Sequence, residues 1–227
     1  MSDQDVRGVD PANGGILWSH PAAVRSVPMA LPVGDDEFVL AGDDGAAAFR
    51  IHRDGDAYRA EPLWSTSAVK GSLATPVAVG DSLFGYDGEF LACVSITDGA
   101  RRWKSRPPGG RGLIAVDGRL VIGGAGGVVV LAEASPEGYR ELARVDVFDR
   151  TGYTYPTFAD GRVYVRNTRE VAAVSLEGRS GAEPASWLTR WGRAMRLRLA
   201  RPFHALEDRF WQFIRHRAGP GEAPPPS

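Results

Sequence analysis

The chain has 227 residues, enough for one well-buried core and an appendage, and its single cysteine, Cys93, excludes an intrachain disulfide or a cysteine-based metal site. A formal net charge of −1 gives no global attraction to nucleic acid or to an anionic membrane, and 43% hydrophobic with 24% charged residues excludes a disordered chain. Twenty-eight glycines favour a fold with many tight turns.

The N-terminal stretch MSDQDVRGVDPANG lacks the basic and apolar regions of a secretory signal, and no run of 18 apolar residues follows anywhere. The expected compartment of the chain as written is therefore the cytoplasm. Residues 13–18, NGGILW, then place a tryptophan four residues beyond Gly14, and residues 98–103 repeat the spacing with Gly99 and Trp103.

Four hairpins follow in chain order: VGDDEFVLAGDDGAAAF (33–49), VGDSLFGYDGEFLACV (79–94), VDGRLVIGGAGGVVVL (116–131) and ADGRVYVRNTREVAAV (159–174). Short β-branched and aromatic runs flank Gly, Asp and Asn turns, and each run is too short for a helix. A further apolar stretch precedes each hairpin, at 27–33, 73–79, 112–116 and 154–159. A last strand ends three units in tryptophan, at Trp18, Trp64 and Trp103, and YRELARVDVF (139–148) fills that place in another. The matching glycines Gly34, Gly80, Gly118 and Gly161 are spaced by 46, 38 and 43 residues. Four short strands in each such period predict an all-β fold, a β-propeller of about four blades.

GVDPANGGILW and CVSITDGARRW resemble the tryptophan-docking motif of the pyrroloquinoline-quinone-like propeller repeats, Ala-x-Asp-x-x-Thr-Gly-x-x-x-Trp. Asp10, Gly14 and Trp18 match in the first copy, with Asn13 for the threonine and Gly8 for the alanine. Gly99 and Trp103 match in the second, with Ser95 for the aspartate and Asp98 for the threonine; Trp64 keeps only the strand-end tryptophan. The resemblance implies that Asp10, Gly14, Trp18, Trp64, Gly99 and Trp103 hold blade to blade. Family propellers close with about seven or eight blades, so the chain resembles the C-terminal half of a larger ring. The alternative is a four-blade ring in which residues 15–19 complete the last blade. The family includes quinoprotein dehydrogenases and a scaffolding lipoprotein of outer-membrane barrel assembly. It suggests the periplasm or cell envelope if the N-terminus is truncated.

Candidate chemistry is sparse. The dehydrogenases of this family use calcium, a carboxylate beside the quinone, and in the alcohol dehydrogenases an adjacent cysteine pair that one cysteine cannot supply. Asp35, Asp36, Asp43, Asp44, Asp81, Asp87, Asp117 and Asp160 read as turn residues, and IGGAGGVVV (122–130) as a hairpin turn because a strand follows its glycines. His20, His52, His204 and His216 lack metal-ligand spacing, and Ser180 lacks a nucleophile elbow. Tyr153 and Tyr155 read as blade-face packing. No catalytic residue, metal or cofactor is assigned.

Residues 181–227 carry eight arginines against four acidic residues, whereas residues 1–180 carry 19 basic and 24 acidic ones. Trp187, Leu188, Trp191, Met195 and Leu199 share a helical face, Pro202 ends that element, and Phe203, Leu206, Phe210, Phe213 and Ile214 mark a second stripe. A tail of amphipathic helices with a disordered end is expected, covering the propeller, lying on a membrane surface through 186–217, or binding a partner. The functional expectation is a non-catalytic propeller scaffold with a protein partner and no nucleic acid, with a homodimer of half-propellers as one arrangement. The alternatives are a fragment of a quinone-dependent oxidoreductase and a propeller held at a membrane.

Overall fold

The computed structural model describes residues 5–21, 30–70, 74–110, 112–149 and 154–176, and the backbone of Met195–Leu197. It is built from antiparallel sheets in sequential order. Blade 1 is β3 (Leu31–Pro32), β4 (Glu37–Ala41), β5 (Ala46–Asp54) and β6 (Ala57–Thr66). Blade 2 is β7 (Val77–Val79), β8 (Ser82–Asp87), β9 (Phe90–Ser95) and β10 (Arg101–Ser105). Blade 3 is β11 (Gly112–Val116), β12 (Arg119–Gly123), β13 (Val128–Glu133) and β14 (Glu141–Asp146). Blade 4 is β15 (Thr157–Ala159), β16 (Arg162–Arg166), β17 (Val171–Ser175) and β18 (Met195–Leu197). A two-stranded sheet, β1 (Asp5–Val9) with β2 (Ile16–Pro21), precedes them. Four repeats of four strands agree with the periods read from the sequence, and the fold is an all-β propeller type.

Turn chemistry fixes the registers. Asp117-Gly118 and Asp160-Gly161 have left-handed backbone at both residues, so Val116 pairs with Arg119 and Ala159 with Arg162 across two-residue turns. That geometry matches the right-handed twist of the strands it joins. Asp and Gly are the residues that adopt it at least cost.

The core lies between blades rather than within them. Phe84, Tyr86, Leu91 and Cys93 of blade 2 meet Leu113, Leu120, Ile122, Val130 and Ala132 of blade 3. The other face of blade 2, with Leu83, Ala92 and Val94, meets Val39, Ala41, Ala46 and Ala48 of blade 1. Val121 and Val129 of blade 3 meet Val163, Val165, Ala172 and Val174 of blade 4. Both faces of an inner blade are covered, so β8 and β9 read as almost continuous apolar runs rather than alternating ones.

Two features depart from the expectations. Blade 1 has a hairpin longer than the sequence reading gave it. β5 and β6 run on to a turn at Gly55-Asp56, held by cross-strand pairs Arg50–Glu61 and Arg53–Tyr58 and by the His52–Glu61 contact. Met195, placed by its 3.6-residue spacing on a helical face, instead lies in β18, where Ala173 pairs with Met195 and Val171 with Leu197. The free edge of β17 offers a ladder of hydrogen bonds, and three residues are too few for periodicity to distinguish strand from helix. The last blade therefore takes its outer strand from 195–197. The alternative in which residues 15–19 complete it is not observed, because β2 pairs with β1. The other tail residues, and Tyr153, Ser180, His204 and His216, lie outside the described residues.

Candidate functional site: blade junctions and open ends

The two motif copies build the same turn from different side chains. In the first, Asp10 N–H donates to Gly15 O (2.8 Å), Gly14 N–H to Asp10 O (2.7 Å) and Gly15 N–H to Asn13 Oδ1 (2.7 Å). In the second, Ser95 N–H donates to Ala100 O (2.9 Å), Gly99 N–H to Ser95 O (2.9 Å) and Ala100 N–H to Asp98 Oδ1 (3.1 Å). Asp10 also accepts from Asn13 Nδ2 (2.9 Å), while the Ser95 hydroxyl and the Ala100 amide hold the Asp98 carboxyl below its ordinary range. Each turn carries one carboxylate and one neutral partner, with the positions exchanged. This exchange explains how the second copy departs from the motif at two positions and keeps its shape. Gly14 (φ +73°) and Gly99 (φ +70°) occupy the left-handed step of each turn.

The tryptophans differ in what they touch. Trp64 of blade 1 donates its indole N–H to Ile96 O in blade 2 (2.7 Å), and its ring lies where a Cβ on Gly99 would sit, 2.6 Å from Cε3. Trp103 of blade 2 donates to Ser135 O in blade 3 (2.9 Å) and packs near Phe84. Trp18 instead lies over Gly8 of its own hairpin, where a Cβ would fall 2.0 Å from Nε1, and stacks on Phe38 of blade 1 at 5.9 Å. The glycine in place of the motif alanine has a local cause: the indole occupies the methyl's space. Blade 1 offers Trp18 no turn like that at Ser95, because Ile51, which matches Ile96 in donating to Asp36 O as Ile96 does to Asp81 O, is paired in the long hairpin with Ala60.

Several of the carboxylates have structural partners. Asp81 receives Arg102 through both oxygens (2.8 and 2.7 Å), and this contact holds its pKa at about 2. Asp87 receives Lys104 (2.6 Å), and Glu141 pairs with Arg144, which draws its carboxyl down. Asp117 and Asp160 sit in their turns with left-handed backbone. His20 packs edge-on against Phe49 at 5.2 Å. Cys93 is fully buried between blades 2 and 3, and burial pushes its thiol pKa up. Tyr155 is exposed and accepts the Thr75 N–H on its phenol oxygen (2.6 Å), spanning from blade 4 to blade 2. Tyr86 is fully buried with no hydrogen-bond partner for its hydroxyl among the described residues, and burial raises its pKa.

The glycine run read as a turn is one: Gly126 and Gly127 have left-handed backbone and lead into β13. Beside it, Gly123, Gly124, Val128, Phe148, Thr154 and Arg166 line a shallow cleft with a cavity volume of about 20 Å³, about the room of a single water molecule. That falls short of the roughly 300–1,000 Å³ of small-molecule sites. Among the described residues no group of three or more His, Cys, Asp or Glu could hold a metal ion. These residues, with one cysteine buried in a blade interface, do not fit a calcium–quinone centre.

Among the described residues the surface lies open at both ends of the blade series. At the N-terminal end Val9, Ile16 and Leu17 are 54%, 59% and 40% exposed, and β1 is paired on one side only among the described residues. At the other end β16 alternates strictly, with Val163 and Val165 buried and Arg162, Tyr164 and Arg166 exposed. The unpartnered strand edge and the alternating end strand had sequence signals, in the half-unit before Trp18 and in RVYVR respectively.

No protein-family model and no curated protein matches the chain. Solved structures do. BamB from Moraxella catarrhalis is similar at a TM-score of 0.54 and 18% identity, over 80% of this chain and 52% of that one. The computationally designed Ika8 protein is similar at a TM-score of 0.58 and 16% identity, over 77% of this chain and 54% of that one. The chain spans about half the length of the structures it matches. The likeness is one of fold, a β-propeller type built from repeated four-stranded antiparallel sheets.

Proposed function

We propose that the chain is a non-catalytic propeller scaffold that binds a protein partner at the end of the β1–β2 hairpin. The observation that carries this reading is the exposed aliphatic group of Val9, Ile16 and Leu17 at the turn end of the β1–β2 hairpin, where β1 is paired on one side only among the described residues. Large exposed aliphatic side chains cost free energy in water and gain it when covered by a partner. An unpaired strand edge adds main-chain donors and acceptors for an extended segment. The motif's family resemblance, which includes a scaffolding protein, supports the same direction.

The test against the oxidoreductase reading uses the purified full chain with calcium, pyrroloquinoline quinone and alcohol or aldose substrates. The scaffold reading predicts dye reduction at the level of buffer. Quinone-dependent turnover would overturn it.

A further inference from the structure

The faces of blades 3 and 4 can be compared row by row. Aligning their Asp-Gly turns sets Val121 and Leu131 against Tyr164 and Ala173, and Gly123 and Val129 against Arg166 and Val171. The row next to the turn sets Arg119 and Glu133 against Arg162 and Ser175. In blade 3, Val121 and Val129 are buried against blade 4, and Arg119 faces a carboxylate across the strands. In blade 4 that carboxylate is gone, because Arg162 faces Ser175, and Arg166 adds a second positive charge where blade 3 has glycine. Arg162, Tyr164 and Arg166 all stand exposed on one side of β16. Neither arginine side chain makes an ion pair or hydrogen bond among the described residues. Thr157, Val171 and Ala173 beside Tyr164 are small, so a surface laid on blade 4 can come close to its backbone.

Charge and spacing define what fits this face. Stacked sheets keep their strands aligned to within about 30° and interdigitate their side chains. Arg162 and Arg166 lie four residues apart on one strand, a span of about 13 Å. A strand laid along β16 meets both arginines with carboxylates four residues apart, and its residue midway between them falls on Tyr164. We propose that the open face of blade 4 docks a partner protein through such a strand, with Asp or Glu at both ends of a five-residue stretch and an apolar residue at its centre. The surface is separate from the β1–β2 hairpin end and does not depend on it. A second copy of this chain does not supply the pattern, since no strand among the described residues carries two carboxylates four residues apart. The apolar strip of Tyr164, Val171 and Ala173 between the charges favours a protein over nucleic acid, whose binding rests on phosphate contacts.

The test uses the full chain in its own cell, with p-benzoyl-phenylalanine in place of Tyr164 and the joined peptides sequenced by mass spectrometry. Docking predicts an adduct with another protein, joined within a segment that has two carboxylates four residues apart. Arg162→Glu with Arg166→Glu sets like charges face to face and should lower the yield about tenfold or more. Arg162→Lys with Arg166→Lys keeps the charge and should retain most of the yield. If the glutamate pair does not fold, as read from its thermal melt, Arg162→Gln with Arg166→Gln should show the loss without the repulsion. No adduct, or joining at a segment without those carboxylates, would overturn the proposal. So would a yield indifferent to charge reversal, an adduct removed by nuclease, or a crosslink to this chain itself, within one copy or between two.

Discussion

Gly14 and Gly99 share a left-handed backbone and differ in surroundings, which separates strain from packing. A Cβ on Gly14 meets nothing within 4 Å, so Gly14→Ala should cost about 1–2 kcal/mol, the ordinary cost of a left-handed alanine. A Cβ on Gly99 meets the Trp64 ring at 2.6 Å, so Gly99→Ala should cost about 2–4 kcal/mol, read from urea unfolding midpoints. Trp103 is half-buried rather than fully buried, and its indole N–H has a partner in the next blade. Trp103→Ala should therefore cost about 2–4 kcal/mol, and a melting temperature unchanged by it would contradict the junction described. For Asp81 the sign follows from its pKa of about 2 in the folded chain against an ordinary 3.8. The Arg102 contact contributes stability above about pH 4 and loses it as pH falls toward 2. Urea unfolding of Asp81→Asn should accordingly differ from the unaltered chain at pH 6 and converge with it near pH 2. Two features at this scale were not legible in the sequence. The exchange of Ser95 and Asp98 looks like a broken motif until the shared turn is seen, and Gly8 looks like a loss until the indole over it is seen.

At the scale of elements, what a strand's pattern reveals depends on how many faces are covered. Alternation and Asp-Gly turns made the four hairpins readable, because both signals are local. The length of the blade-1 hairpin was not readable: RIHRDGDAYRA is polar, and its strands are held by cross-strand pairs such as Arg50–Glu61 that only pairing brings together. β18 was missed for a related reason, since the open edge of β17 decides it rather than any preference of Met195–Leu197. The contrast between RLVIG in blade 3 and RVYVR in blade 4 yields a prediction. Val121→Thr buries a hydroxyl between two blades and should cost about 1–3 kcal/mol. Tyr164→Thr at the matching position should cost about 1 kcal/mol or less, as expected on an end face. Thermal melts of the two variants side by side check the difference.

At the scale of the whole molecule, stability lies in blade-to-blade interfaces and interaction capacity lies at the ends. Inner blades spend both faces on their neighbours and have no surface of size to offer a partner except their rims. The β1–β2 hairpin is different: one side packs through Val6, Trp18 and His20 on Leu40, Phe38 and Phe49, while the end at Val9, Ile16 and Leu17 stays open. The sequence already contained the half-unit before Trp18, yet not its exposure, which depends on what lies next to it in space. The most direct test of a partner-binding hairpin end places a photo-crosslinking residue at Ile16 and, separately, at exposed Glu89 in blade 2, in the full chain expressed in its own cell. A discrete protein adduct is expected from position 16, lost when Leu17→Asp is added, and none from position 89. No adduct at position 16, or the same adducts from both positions, would contradict it.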